Sequence, residues 1–150
     1  MSYKNKVSDY GVYERIHRDM MFSKKEIGDM GKSVRDMKRD LRDRNRDGAS
    51  RGLSNFLLTA FGFSPTTGTL AGVISVLMDI LFDDNSTIAL YENLSETHER
   101  LFDVYTLMDE REYIHCRADI AVLVVDGVET PFGFRETGFE TKSGRWILAE

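Results

Sequence analysis

Between Ser23 and Arg46, apolar side chains recur at Ile27, Met30, Val34, Met37 and Leu41, alternately three and four apart. That interval keeps returning one face of an α-helix to the same neighbour, so the stretch predicts an amphipathic helix with a heptad seam. Ser23 with Glu26 three residues on is a capping box and marks its start. Asn45-Arg46-Asp47-Gly48 predicts its stop, with Gly48 taking a left-handed cap. Upstream, Val12, Ile16 and Met20 are four apart and predict a short helix within an N-terminal arm, residues 1–22.

Residues 53–82 form the apolar middle of the chain. LSNFLLTAFGF (53–63) predicts a short helix, and SPTTG (64–68) a loop broken by Pro65 and Gly68. TLAGVISVLMDILF (69–82) is apolar almost all round, with only Gly72, Ser75 and Asp79 on a narrow polar line. Such a helix belongs in a core, an assembly or a membrane. Tyr91, Leu94, His98, Leu101, Tyr105 and Met108 then predict a long amphipathic helix over 87–112, capped by Ser86.

At Tyr113 the period changes to two. Ile114, Cys116, Ala118, Ile120, Val122 and Val124 share one face of a strand, and Asp126-Gly127 signals a type I′ hairpin. The remainder predicts short strands broken at Thr137-Gly138 and Ser143-Gly144, with Pro131 on an edge strand. Helices followed by an antiparallel meander make the chain α+β: a single domain with an arm (1–22), a helical region (23–112) and a β region (113–150).

Charge adds a second pattern to the first helix. On a wheel the apolar seam is flanked by a basic sector (Lys24, Lys25, Lys32, Arg35, Lys38, Arg39, Arg42, Arg46) and an acidic one (Glu26, Asp29, Asp36, Asp40, Asp43, Asp47). Arg44 breaks the seam near its end. Gly28 and Gly31 each cost about 1 kcal/mol of helix propensity and leave room for a close neighbour. The pairs Lys25/Asp29, Lys32/Asp36 and Arg39/Asp43 fit a solvated helix with one core stripe. The sorted flanks also fit lateral self-association, each acidic flank against the next basic one, through Lys32, Arg35, Asp36, Arg39, Asp40, Arg42 and Asp43. Head-to-tail contacts of that kind close into rings or continue as tubes. Lys32–Asp47 holds seven Lys/Arg against four Asp, but the interleaved aspartates repel phosphate and oppose nucleic-acid binding.

A net charge of −5 over 150 residues, 41% of them apolar, describes a globular chain with little attraction for DNA. The start, MSYKNKVSDYG, shows no secretory signal, so synthesis in the cytoplasm is expected. The single cysteine, Cys116, excludes an internal disulfide. The apolar hairpin, with Leu57, Phe61, Val73, Val76, Leu77 and Ile80, reads as buried structure. Membrane contact is its sharper alternative, although the arm 69–82 reaches only about 21 Å of the roughly 30 Å hydrocarbon layer. Asp79, Asp83 and Asp84 oppose insertion.

Candidate chemistry is sparse. His115 and Cys116 are adjacent on a strand and point to opposite faces. His17 has no partner pattern, His98 lies on a helix stripe, and a His98–Cys116 nucleophile pair rests on residue type alone. The histidines and the one cysteine show no metal-ligand spacing. FSPTTGT (63–69) precedes a helix but lacks the phosphate-loop lysine, so a plain N-cap at Thr67 or Thr69 is expected. Phe132, Phe134, Phe139 and Trp146 read as core beneath the helices. No catalytic, cofactor or metal residue is nominated and no enzyme activity is expected. The reading is a structural, self-assembling subunit of a larger particle, such as a phage or phage-derived tail or virion component, with further protein partners. A membrane-active toxin or lysis protein using hairpin 53–82 is the first alternative, and a small enzyme or ligand-binding module the second.

Overall fold

A computed structural model describes residues 13–63, 65–81 and 84–149, the side chains of residues 80–90 excepted. Among these the chain runs β1 (Tyr13–Ser23), α1 (Lys24–Arg42), α2 (Arg46–Phe61), α3 (Thr67–Leu81), α4 (Asp84–Arg111), β2 (His115–Val125), β3 (Val128–Glu140) and β4 (Trp146–Leu148). The strands form one antiparallel sheet in the order β1-β2-β3-β4. The α+β class holds, with one addition: the first strand precedes the helices instead of following them.

That strand corrects the short helix expected around Val12–Met20. Ile16 and Met20 are four apart by coincidence, and what decides is pairing: Arg15 faces Val122, His17 faces Ile120 and Phe22 faces Cys116. Asp19, at φ 55°, inserts a bulge between His17 and Met20. The bulge restores the alternation that puts Met20 and Phe22 on the helix side. Of the arm 1–22, residues 1–12 lie outside the described residues.

The first helix begins as expected. Ser23 Oγ accepts from the Glu26 amide and Glu26 Oε1 accepts from the Ser23 amide. Its end is different. Arg44, not Gly48, takes the left-handed conformation, at φ 58°. Asn45 then caps the next helix by accepting from the Gly48 amide at 3.0 Å. Gly48 sits in the first turn of α2, where Asp40 crowds it. The segment 53–63 is therefore the second half of a 16-residue helix. α3 opens at Thr67 with Thr66 as its cap, since Thr66 Oγ1 accepts from the Thr69 amide. α4 begins at Asp84, so Ser86 lies inside it and does not cap it.

Asp126 (φ 49°) and Gly127 (φ 79°) make the expected hairpin turn. The Gly144 turn also forms, at φ 87°, closed by the Thr141 amide on the Arg145 carbonyl. Thr137-Gly138 does not break β3, which runs unbroken for 13 residues. Pro131 is not on an edge strand: β3 lies between β2 and β4. It is tolerated because β4 covers only Gly138–Glu140 and because the ladder slips between Ala121 and Val122, opposite Pro131.

The core fills the space between the helices and one sheet face. Cys116, Ala118, Ile120, Val122 and Val124 supply the sheet side, with Phe132, Phe134 and Phe139. Ile27, Met30, Val34, Met37 and Leu41 supply the whole seam of α1. The expected aromatic core thus holds for the three phenylalanines. Trp146 instead lies on the opposite face of the sheet, its ring 4.5 Å from the Arg117 guanidinium.

Candidate interaction face formed by α1 and α4

α1 and α4 lie antiparallel. Lys24 Nζ meets Asp109 Oδ1 at 2.7 Å, Tyr105 crosses Gly28, Leu101 meets Gly31, and Lys38 Nζ lies 5.5 Å from the Tyr91 ring centre. The glycines therefore serve a close approach within the chain. A β-carbon on Gly28 would be 3.0 Å from Tyr105 Cε2, and one on Gly31 would be 3.4 Å from Leu101 Cβ.

With both apolar stripes turned inward, each helix shows one line to solvent. On α1 that line is basic: Lys25, Lys32, Arg35, Arg39 and Arg42 are all exposed. At about 100° per residue they span about 100° and lean toward α4. On α4 the line is acidic: Glu92, Glu96, Glu99, Asp103 and Glu110 are all exposed. These five fall within about 60°, opposite the buried stripe Leu94, Leu101, Val104 and Met108. A basic ridge and an acidic ridge thus run side by side on one face. Between them a groove of about 390 Å³ is lined by Gly28, Gly31, Lys32, Arg35, His98, Leu101, Phe102 and Tyr105. Phe102 is 63% exposed there and Tyr105 37%.

The acidic flank expected on α1 is not an open face. Asp40 is buried against the start of α2 and takes Arg39 Nε at 3.2 Å. Asp36 receives Arg35 at 3.2 Å and Arg39 at 3.5 Å, Asp43 receives Arg42 at 3.2 Å, and Asp29 receives Lys25 at 2.9 Å. The pairs Lys32/Asp36 and Arg39/Asp43 give way to these shorter-range partners. Lys32 has no ion pair among the described residues. Glu99 and Asp103 are likewise without one, while Glu96 meets Arg100 at 3.6 Å. The acidic partner for the basic ridge was therefore missed in the sequence. The signal was present, because residues 92, 96, 99, 103 and 110 keep helical spacing on the face opposite the apolar stripe.

His98 stands in the groove between the ridges. Burial holds its pKa below the ordinary histidine value, and the positive charges of Lys38 and Arg35 lower it further, against an opposing pull from Glu99. Cys116 belongs elsewhere. It is fully buried on the sheet, donates to the Arg117 carbonyl, and burial pushes its thiol up to about 12. It is not poised as a nucleophile at neutral pH. His17 has partners the sequence did not signal. Its Nε2 is 2.8 Å from Glu129 Oε1, which also accepts from Arg15 at 2.9 Å, and its ring lies 4.8 Å from Phe61. These contacts fasten β1 across β2 to β3.

The residues of the apolar hairpin serve the core. Leu57, Val73 and Leu77 are fully buried, and Phe61 and Val76 pack against the same cluster. The Ile80 side chain lies outside the described residues. No helix among the described residues is long and apolar enough to cross a membrane. A second groove, about 730 Å³, lies between α4 and the β3–β4 edge. Glu96, Glu99, Asp103 and Glu136 rim it, over Val104, Leu107, Tyr113 and Phe139. Arg100 bridges part of the rim, reaching Glu136 at 3.4 Å.

No protein-family model, curated protein or solved structure matches this chain.

Proposed function

We propose that the chain is a structural subunit that assembles with copies of itself through the α1–α4 face. One observation carries this: two neighbouring helices present solvent ridges of opposite charge and of equal length, about 26 Å each. A ridge of one sign beside a ridge of the other offers a second copy a ready complement. The contact differs from the one expected of α1 alone, since its acidic half comes from α4. A repeating particle, such as a phage tail or virion, is a setting in which such a contact would be used.

Exposed charges attract weakly one by one, and a set of aligned pairs is needed to give a stable contact. Association through this face is therefore expected at low ionic strength and is expected to fall away in about 1 M salt, where the screening length is about 3 Å. The decisive experiment uses two variants. One carries Arg35→Glu and Arg39→Glu, making both ridges acidic; the other carries Glu99→Lys and Asp103→Lys, making both basic. Each alone should be monomeric by light scattering, and an equimolar mixture should regain the mass of the assembled wild type. Failure of the mixture to associate, with both variants folded by circular dichroism, would remove this reading.

A further inference from the structure

We infer that the partner on this face is a second copy related by a two-fold axis parallel to α1 and α4, with Phe102 meeting its own counterpart on the axis. The inference rests on the proposed self-association and specifies its symmetry.

The geometry follows from heights along the helices. Within one chain, Lys24 is level with Asp109, Gly28 with Tyr105, Gly31 with Leu101 and Lys38 with Tyr91. By the same offset Lys32 is level with Glu99 and Asp103, Arg35 with Glu96 and Glu99, Arg39 with Glu92 and Glu96, and Lys25 with Glu110. Rotation by half a turn about an axis parallel to the helices preserves height and exchanges left with right. It lays the basic ridge of each copy on the acidic ridge of the other, at matched levels. Half a turn about an axis across the helices would instead set basic on basic and acidic on acidic. The charge pattern thus favours one two-fold over the other.

The same operation explains Phe102. It projects from the side of α4 that faces α1, between the two ridges, and is among the most exposed large apolar residues described. In the two-fold pair it lies at the centre, ringed by the charged residues. A buried aromatic anchor with a polar rim is the usual anatomy of a stable interface. Lys32, without an ion pair among the described residues, gains Glu99 and Asp103 of the second copy. The occupant is a second copy because each ridge finds its complement on the same chain at the same height.

The test uses the full chain with Phe102→Cys. Cys116 is buried and unreactive, so the new thiol is the only accessible one. At low salt, mild oxidation should yield a disulfide-linked dimer in high yield, and light scattering should give twice the 17.2 kDa chain mass before oxidation. The control Met21→Cys, exposed on the sheet face turned away from the helices, should not cross-link. A larger species at low salt, or a dimer that cross-links no faster through Phe102→Cys than through the control, would overturn the two-fold while leaving self-association standing. A wild-type chain that stays monomeric at low salt would remove both.

Discussion

Gly52 of α2 packs directly on the backbone of Met37 in α1. A β-carbon at Gly52 would come within 3.0 Å of the Met37 amide nitrogen, 3.1 Å of its Cβ and 3.2 Å of its Cα. Backbone cannot swing aside as a side chain can, so the two helices would have to separate. Gly52→Ala is therefore expected to cost about 1–3 kcal/mol despite alanine's better helix propensity. Gly28→Ala is the control. Its new β-carbon meets only the edge of the half-exposed Tyr105 ring, which can tilt outward, and the propensity gain of about 1 kcal/mol offsets the shift. Urea denaturation should show a clear loss for Gly52→Ala and little change for Gly28→Ala. Equal effects would mean that the α1–α2 contact is softer than these distances require.

Much of this packing was legible in the sequence because it follows from periodicity. The heptad of α1, its capping box, the long amphipathic α4 and the Asp126-Gly127 hairpin each rest on local chemistry that acts the same in any context. The missed features depend on partners distant in sequence. β1 was hidden because a strand's pattern is blurred by the bulge at Asp19 and by a coincidental four-residue spacing. Gly48 was misread because glycine near a helix end serves a left-handed cap or a close approach equally well. Only the position of Asp40, whose Cγ would lie 2.6 Å from a β-carbon at Gly48, selects the second. The charge sorting of α1 was visible, but its meaning changed. The aspartates pair within the chain, and the acidic complement stands on α4, a helix the sequence places some fifty residues away.

Thr130 gives a prediction of the opposite sign. It is fully buried on β3, opposite Leu123, and its Oγ1 has no hydrogen-bond partner among the described residues. An unpaired buried hydroxyl keeps its desolvation cost with nothing to offset it. Valine has nearly the same shape and suits a strand equally well. Thr130→Val is expected to stabilise the fold by about 1 kcal/mol, raising Tm by about 2–4 °C for a domain of this size. A fall in Tm would show that the hydroxyl has a partner that matters.

His98 makes stability depend on pH in a defined direction. Burial is the larger cause of its lowered pKa, followed by the charges of Lys38 and Arg35, while Glu99 pulls the other way. The folded value therefore lies below the ordinary 6.5 of the unfolded chain. As pH falls through 6.5 the unfolded state takes up the proton first, so stability is complete above that pH and declines below it. His98→Gln removes the titrating group but keeps a polar side chain in the groove. Thermal melts of both proteins from pH 7.5 down to 5.0, in high salt to keep each chain monomeric, should show the wild type losing stability faster than the variant below pH 6.5. Lys38→Met should move the profile toward that of the variant: removing one of the two cations beside the imidazole lets it protonate more readily, so the decline below pH 6.5 becomes smaller and ends at a higher pH. Parallel curves for wild type and His98→Gln would mean that the histidine is as well solvated in the folded chain as in the unfolded one, and that the groove between the ridges does not bury it.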